Sequence, residues 1–307
     1  IDEERRSGGR NWYFEAMNLP EAWDVVTGSR FIPVGVIDSG FNDGQHPDLI
    51  NNVVSVKGRQ RPNKFHGESM AGSICAEGNN DIGISGVAWE CGLLLYGNRR
   101  DNFLFLPDFS SSLTATEQMI EAVDDGVRIV NISSGYVTAN ARCDDEFNRQ
   151  AVGAKAAEEN DILERGIVYA REKGVDVLWV FSAANACRST IYGAPAALSL
   201  RFPDNSITVA AVDQNLLLQR VSNYGVAVDV AAPGEDISSV DSLAPNLYRR
   251  DVRGTSSAAA LVSGVATLVA SADPSRTAAE IKQCIVNGAE LGGEEVFMKV
   301  NLDIVGE

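Results

Sequence analysis

The sequence is short of positive charge. Its 26 Lys and Arg face 42 Asp and Glu, giving a formal net charge of −16. No basic run or patch stands out. Nucleic acid phosphates and anionic lipid surfaces therefore find no electrostatic footprint, and a cationic partner or substrate suits the chain better. Histidine is scarcer still, with only His46 and His66. The five cysteines, Cys75, Cys91, Cys143, Cys187 and Cys284, contain no C-x-x-C pair, and with so few histidines they give no support to a zinc site. An odd count leaves one or two disulfides or buried thiols open, and the connectivity is not legible. No uncharged, wholly apolar run of about 18 residues is present, which argues against a membrane span. Also missing are G-x-G-x-x-G and phosphate-loop motifs, which removes the support for a nucleotide-binding protein. There is no internal repeat, low-complexity segment or linker. The opening Ile1-Asp-Glu-Glu-Arg-Arg6 is polar and is not read as a secretory signal.

What is present is a chain of 307 residues, 45% hydrophobic, long enough to bury a large core. It is read as one domain, 1–307. Apolar runs at 31–37, 93–96, 127–132, 175–181, 207–212 and 226–231 are mostly continuous, as expected for strands buried on both faces of a parallel sheet. Helical patterns fit at 66–77, 113–125, 145–173, 255–271 and 276–288. The alternation predicts an α/β fold with three layers, a mostly parallel sheet flanked by helices. The charged stretch 136–164, with Cys143-Asp-Asp-Glu146, reads as a surface insertion leading into a long helix. In such sheets the chemistry gathers at the carboxyl ends of the strands.

Four residues there carry reactive groups. Asp38 ends an apolar strand, where it either points into the crevice or caps a turn. His66 opens a helical pattern with Met70, Ile74 and Cys75 inward, and supplies a base suited to neutral pH. Ser256 lies where a glycine turn enters an Ala-rich helix. It is either a cap or a nucleophile aided by the helix dipole and nearby N–H groups. Asn185 follows another buried strand and is either a turn residue or an oxyanion donor. Each signal is weak alone. The order Asp, His, Ser is one of the known triad orders.

These motifs resemble those of the subtilase family. Val36-Ile-Asp38-Ser-Gly40 resembles its aspartate motif. His66-Gly-Glu-Ser-Met-Ala-Gly72 resembles H-G-T-H-V-A-G, and Gly254-Thr-Ser256-Ser-Ala-Ala resembles the serine motif. The resemblance implies a subtilisin-like fold and a serine endopeptidase with Asp38, His66 and Ser256 as triad and Asn185 as oxyanion donor. It implies that Ser133, Ser134, Gly135 and Ala184 line the specificity pocket. It also implies a structural calcium ion held by Asp48, Asn80 and the carbonyls of Ile82 and Ile84, since oxygen ligands on a loop suit this hard cation. Partners would be protein or peptide substrates, with a pro-segment or an accessory subunit, in a secreted or periplasmic setting. The serine motif and Asn11-Trp-Tyr-Phe14 further resemble the catalytic subunit of the AB5 subtilase cytotoxin. Departures occur at Glu68 and Ser69, at Ala184 in place of glycine, at Arg253, and at Ala260-Leu261 in place of Pro-His. Two other readings compete. One is a silent subtilase fold used for binding. The other is a serine-carboxyl peptidase with Glu68 as its base.

Overall fold

The computed structural model describes residues 11–39, 41–58, 65–97, 109–135, 149–241, 247–292 and 295–298. In chain order these form helices α1 (Trp12–Ala16) and α2 (Leu19–Trp23), strands β1 (Gly28–Asp38) and β2 (Val53–Gly58), and helix α3 (His66–Cys75). Strand β3 (Glu90–Gly97), helix α4 (Phe109–Asp124), strand β4 (Ile129–Ile132), helix α5 (Arg149–Lys173) and strand β5 (Leu178–Ser182) follow. Then come α6 (Leu198–Arg201), β6 (Ser206–Val212), β7 (Val230–Pro233), β8 (Ile237–Asp241) and β9 (Leu247–Val252). The chain closes with α7 (Thr255–Ala272), α8 (Ala278–Asn287), β10 (Ala289–Gly292) and β11 (Glu295–Met298).

Seven strands pair in parallel in the order β7-β6-β5-β4-β1-β3-β2. Strand β11 joins the β7 edge in parallel, and β10 pairs antiparallel with β11. The continuous apolar runs have the expected cause. Leu93, Leu95, Leu178 and Val180 enter a core on one face with α3, α7 and α8. Their neighbours Leu94, Tyr96, Trp179 and Phe181 enter a second core with α4 and α5 on the other face. Side chains of a strand alternate between faces, so a strand covered on both sides is apolar throughout.

Helix α7 is uncharged and 18 residues long with mean hydropathy 1.4, so by length and composition it could cross a bilayer. It is not a wholly apolar run, since it carries Ser256, Ser257, Ser263 and Thr267 among its apolar residues. It is 89% buried against the sheet, the environment of a core helix.

Three features depart from the sequence reading. Strand β2, the β8–β9 hairpin and the β10–β11 pair were not foreseen. The last predicted strand begins at Val230 rather than 226, because Val226 is exposed and lies in a turn. Cys75 and Cys91 form a disulfide joining the end of α3 to the start of β3. Cys143 and residues 136–148 of the proposed insertion lie outside the described residues, and 149–164 belong to α5.

Candidate active site

Strand order turns back between β1 and β4. From β1 the chain runs to β3 and β2 on one side, and it later fills β4 to β7 on the other. Crevices open at such switch points. Asp38 is the last residue of β1 and is nearly buried. Ser39 N–H donates to its Oδ1 at 2.6 Å. His66, the first residue of α3, sets Nδ1 at 2.8 Å from Oδ1 and 2.9 Å from Oδ2 of Asp38. An ionised carboxylate only accepts, so Nδ1 carries the proton and Nε2 is left as the basic nitrogen. The Asp38 charge raises the His66 pKa above its ordinary value, against the opposing effect of burial.

Ser256 stands in the first turn of α7, where Gly254 adopts φ +102°. A Cβ on Gly254 would lie 2.8 Å from Asn185 Nδ2 and would occupy a backbone region that L residues avoid, so glycine is required there. Asn185 Oδ1 accepts from Thr255 N–H at 2.9 Å and from Thr255 Oγ1 at 3.1 Å. That fixes the amide orientation and leaves Nδ2 as the donor end.

The Ser256 hydroxyl is not aimed at His66. Ser256 Oγ donates to the Ser133 carbonyl at 3.0 Å, and no bond to His66 appears among the described residues. A rotation about χ1 would be needed for attack, and such bonds commonly tighten only with substrate present.

A cleft of about 460 Å³ gathers Asp38, His66, Ser133, Ser134, Gly135, Ala184, Asn185 and Ser256, together with Ser39, Phe65 and Ser182. Every residue named from the sequence for catalysis or substrate binding therefore lines one cavity. Ala184 holds φ +75°, and its methyl lies 3.0 Å from where a Cβ on Gly135 would stand. The alanine thus narrows the cleft and excludes any side chain at 135 without a shift.

Sequence reasoning missed a buried network behind Ser256. Ser263 Oγ on α7 donates to Asn131 Oδ1, Asn131 Nδ2 donates to Ser133 Oγ, and Ser133 Oγ donates to the Ser256 carbonyl. Two polar residues, Asn131 in an apolar strand and Ser263 in an apolar helix, were the available signal, because buried polar groups occur where they find partners.

The expected calcium ligands come from two segments, Asp48 ahead of β2 and residues 80–84 after α3, and their side chains do not fit the ion. Asp48 is fully buried. Its Oδ1 accepts from Asn80 Nδ2 and its Oδ2 from Ile84 N–H, each at 2.9 Å. Asn80 Oδ1 accepts from Ile82 N–H, which sets the amide with its NH₂ toward Asp48. Tyr248, its hydroxyl hydrogen-bonded to Asp48, is pushed up to about 12 by burial and by that carboxylate. Donors surround Asp48 where a cation needs acceptors. No group of three or more His, Cys, Asp or Glu placed to hold a metal occurs among the described residues.

Glu68, the alternative base, is not among the residues that line the cleft. It is buried, and its Oε2 accepts from Asn42 N–H at 2.7 Å. Asn11-Trp-Tyr-Phe14 takes a structural part. Trp12 Nε1 donates to the Glu235 carbonyl, and Tyr13 is buried in the core.

The subtilase family profile matches residues 30–301. A thermophilic serine proteinase from Bacillus sp. (strain AK1) is 34% identical over 91% of this chain and 61% of its own length. The chain thus spans less than two thirds of that relative. Thermitase from Thermoactinomyces vulgaris is 31% identical over 90% of this chain and 87% of its own. Among solved structures, the MycP3 protease from a type VII (ESX-3) secretion system superposes with a TM-score of 0.73 at 26% identity, covering 94% of this chain and 86% of that one.

Proposed function

Since this chain belongs to the subtilase family, we propose that it is a serine endopeptidase that hydrolyses peptide bonds with Asp38, His66 and Ser256. The observation that carries the reading is the 2.8 Å bond from His66 Nδ1 to Asp38 at the wall of the cleft that Ser256 and Asn185 also line.

Ser256 turns from Ser133 to His66, gives its proton to Nε2 and attacks the scissile carbonyl carbon. Asp38 holds the tautomer and stabilises the imidazolium. Asn185 Nδ2 and the Ser256 N–H take the oxyanion, aided by the positive end of α7. Collapse of the intermediate expels the amine, which takes the proton from His66, and leaves an acyl-serine. Water then gives a proton to His66 and attacks the ester, which releases the acid and restores Ser256. Residues 133–135 and Ala184 form the wall that meets substrate, and the acidic surface suits basic peptides.

A second reading, a silent binding protein, draws on the Ser256 hydroxyl being committed to Ser133 rather than to His66. Turnover of an unfolded protein substrate by wild type, Ser256→Ala and His66→Ala separates the two. The protease reading expects cleavage by wild type alone. Equal cleavage by Ser256→Ala, or none by a folded wild type under any condition, sinks it. The Cys75–Cys91 disulfide supports a secreted or periplasmic setting, since such bonds persist in oxidising compartments.

A further inference from the structure

The histidine motif of this chain carries Glu68 and Ser69 where the family usually has threonine and histidine. Both side chains are buried and both act as fasteners. Glu68, in the first turn of α3, accepts the Asn42 N–H at 2.7 Å. Asn42 lies four residues beyond Asp38. Between them, Ser39 accepts the Gly67 N–H at 2.9 Å through its carbonyl. The Phe41 ring packs so closely that a Cβ on Gly67 would meet it at 2.9 Å. On the other flank, Ser69 Oγ donates to the Val240 carbonyl at 2.7 Å, and Ser239 Oγ donates to the Ser69 carbonyl. Just ahead of His66, the Arg249 guanidinium of β9 lies 4.0 Å over the Phe65 ring.

The turn that carries His66 is thus tied to the loop that follows Asp38 and, separately, to the β8–β9 hairpin. On the Asp38 side Glu68 supplies the one side-chain acceptor in this set of ties. A carboxylate held dry near Asp43 and Asp241 is costly to bury. Its place in the first helical turn, where negative charge meets the helix dipole, offsets part of that cost.

We infer that Glu68 is a positioning residue, which sets the Asp38 loop against the His66 turn and so fixes the Asp38–His66 geometry. This rests on the proposed triad, yet it can be read without turnover. The chain has two histidines, so the Nδ1–H resonance of His66 in its carboxylate bond can be assigned by NMR against a His66→Ala control.

The test compares wild type with Glu68→Gln, which keeps an acceptor, and with Glu68→Met, which keeps size and removes it. Glu68→Asp withdraws the acceptor by one methylene and carries the test should the methionine variant not fold. We expect Glu68→Gln to keep the His66 resonance and a kcat within about three-fold of wild type. Glu68→Met and Glu68→Asp should broaden or lose that resonance. They should lower kcat by about ten- to a hundred-fold with KM changed less than about two-fold, the scale of a misplaced catalytic group. An unchanged resonance and kcat in folded Glu68→Met or Glu68→Asp would overturn the inference. So would a loss in Glu68→Gln equal to that in Glu68→Met. If wild type shows no turnover, the proposed function fails and the resonance alone decides.

Discussion

A side-chain amide is ambiguous until something fixes which end points where. Thr255 settles this for Asn185 by donating twice to Oδ1, so Nδ2 remains to meet an oxyanion. Asn185→Ala is therefore expected to lower kcat by about 10²–10³ with little change in KM, the magnitude established for an oxyanion donor in enzymes of the subtilisin type. Steady-state kinetics on a peptide substrate checks this. His66 gives a pH prediction. In the proposed mechanism only its neutral form accepts the serine proton. Asp38 favours the charged form and raises the pKa. The acid limb of kcat/KM should thus lie above the ordinary histidine value of about 6.5. A pH–rate profile with its acid limb below that value would contradict the arrangement. At this scale the sequence was most informative. Asp38, His66, Asn185 and Ser256 each have small neighbours, and three of the four stand at a strand end or helix start. Thr255, Asn131 and Ser263 escaped notice because their roles depend on partners up to about 130 positions away in the chain, which periodicity does not reveal.

Elements buried on both sides were legible because they are apolar throughout, and the long helices were legible from their spacing. The elements that escaped are those at edges. Strand β2 reads Val53-Val-Ser-Val-Lys-Gly58 and is only half buried, and β9 carries Tyr248-Arg-Arg-Asp251. Their pairing comes from tertiary context rather than from pattern. Helix α8 shows the opposite case, since Thr277 and Glu280 form a reciprocal capping box at its start. The loop after α3 tests a family expectation against local chemistry. Asp48 is satisfied by Asn80, Ile84 and Tyr248, so the loop is expected to hold without a cation. Melting temperatures measured with calcium and with excess chelator should coincide. A clear rise with calcium would show that the loop rearranges to present its carbonyls.

For the molecule as a whole, the sheet separates two cores and α7 crosses the larger one, which explains how an uncharged helix belongs in an acidic chain. The disulfide ties the end of the His66 helix to the third strand across 16 positions. Closing a loop of that length removes disorder from the unfolded chain, so replacing Cys75 and Cys91 by alanine should cost about 3 kcal/mol in a denaturant titration. The most direct measurement of the central claim is labelling by a fluorophosphonate, located by mass spectrometry. Such probes react with a serine whose proton is taken by a base in place, and with few others. One label per chain on Ser256, absent in His66→Ala and Ser256→Ala, is the predicted result. A folded wild type that takes no label, or takes it at another serine, would contradict the account.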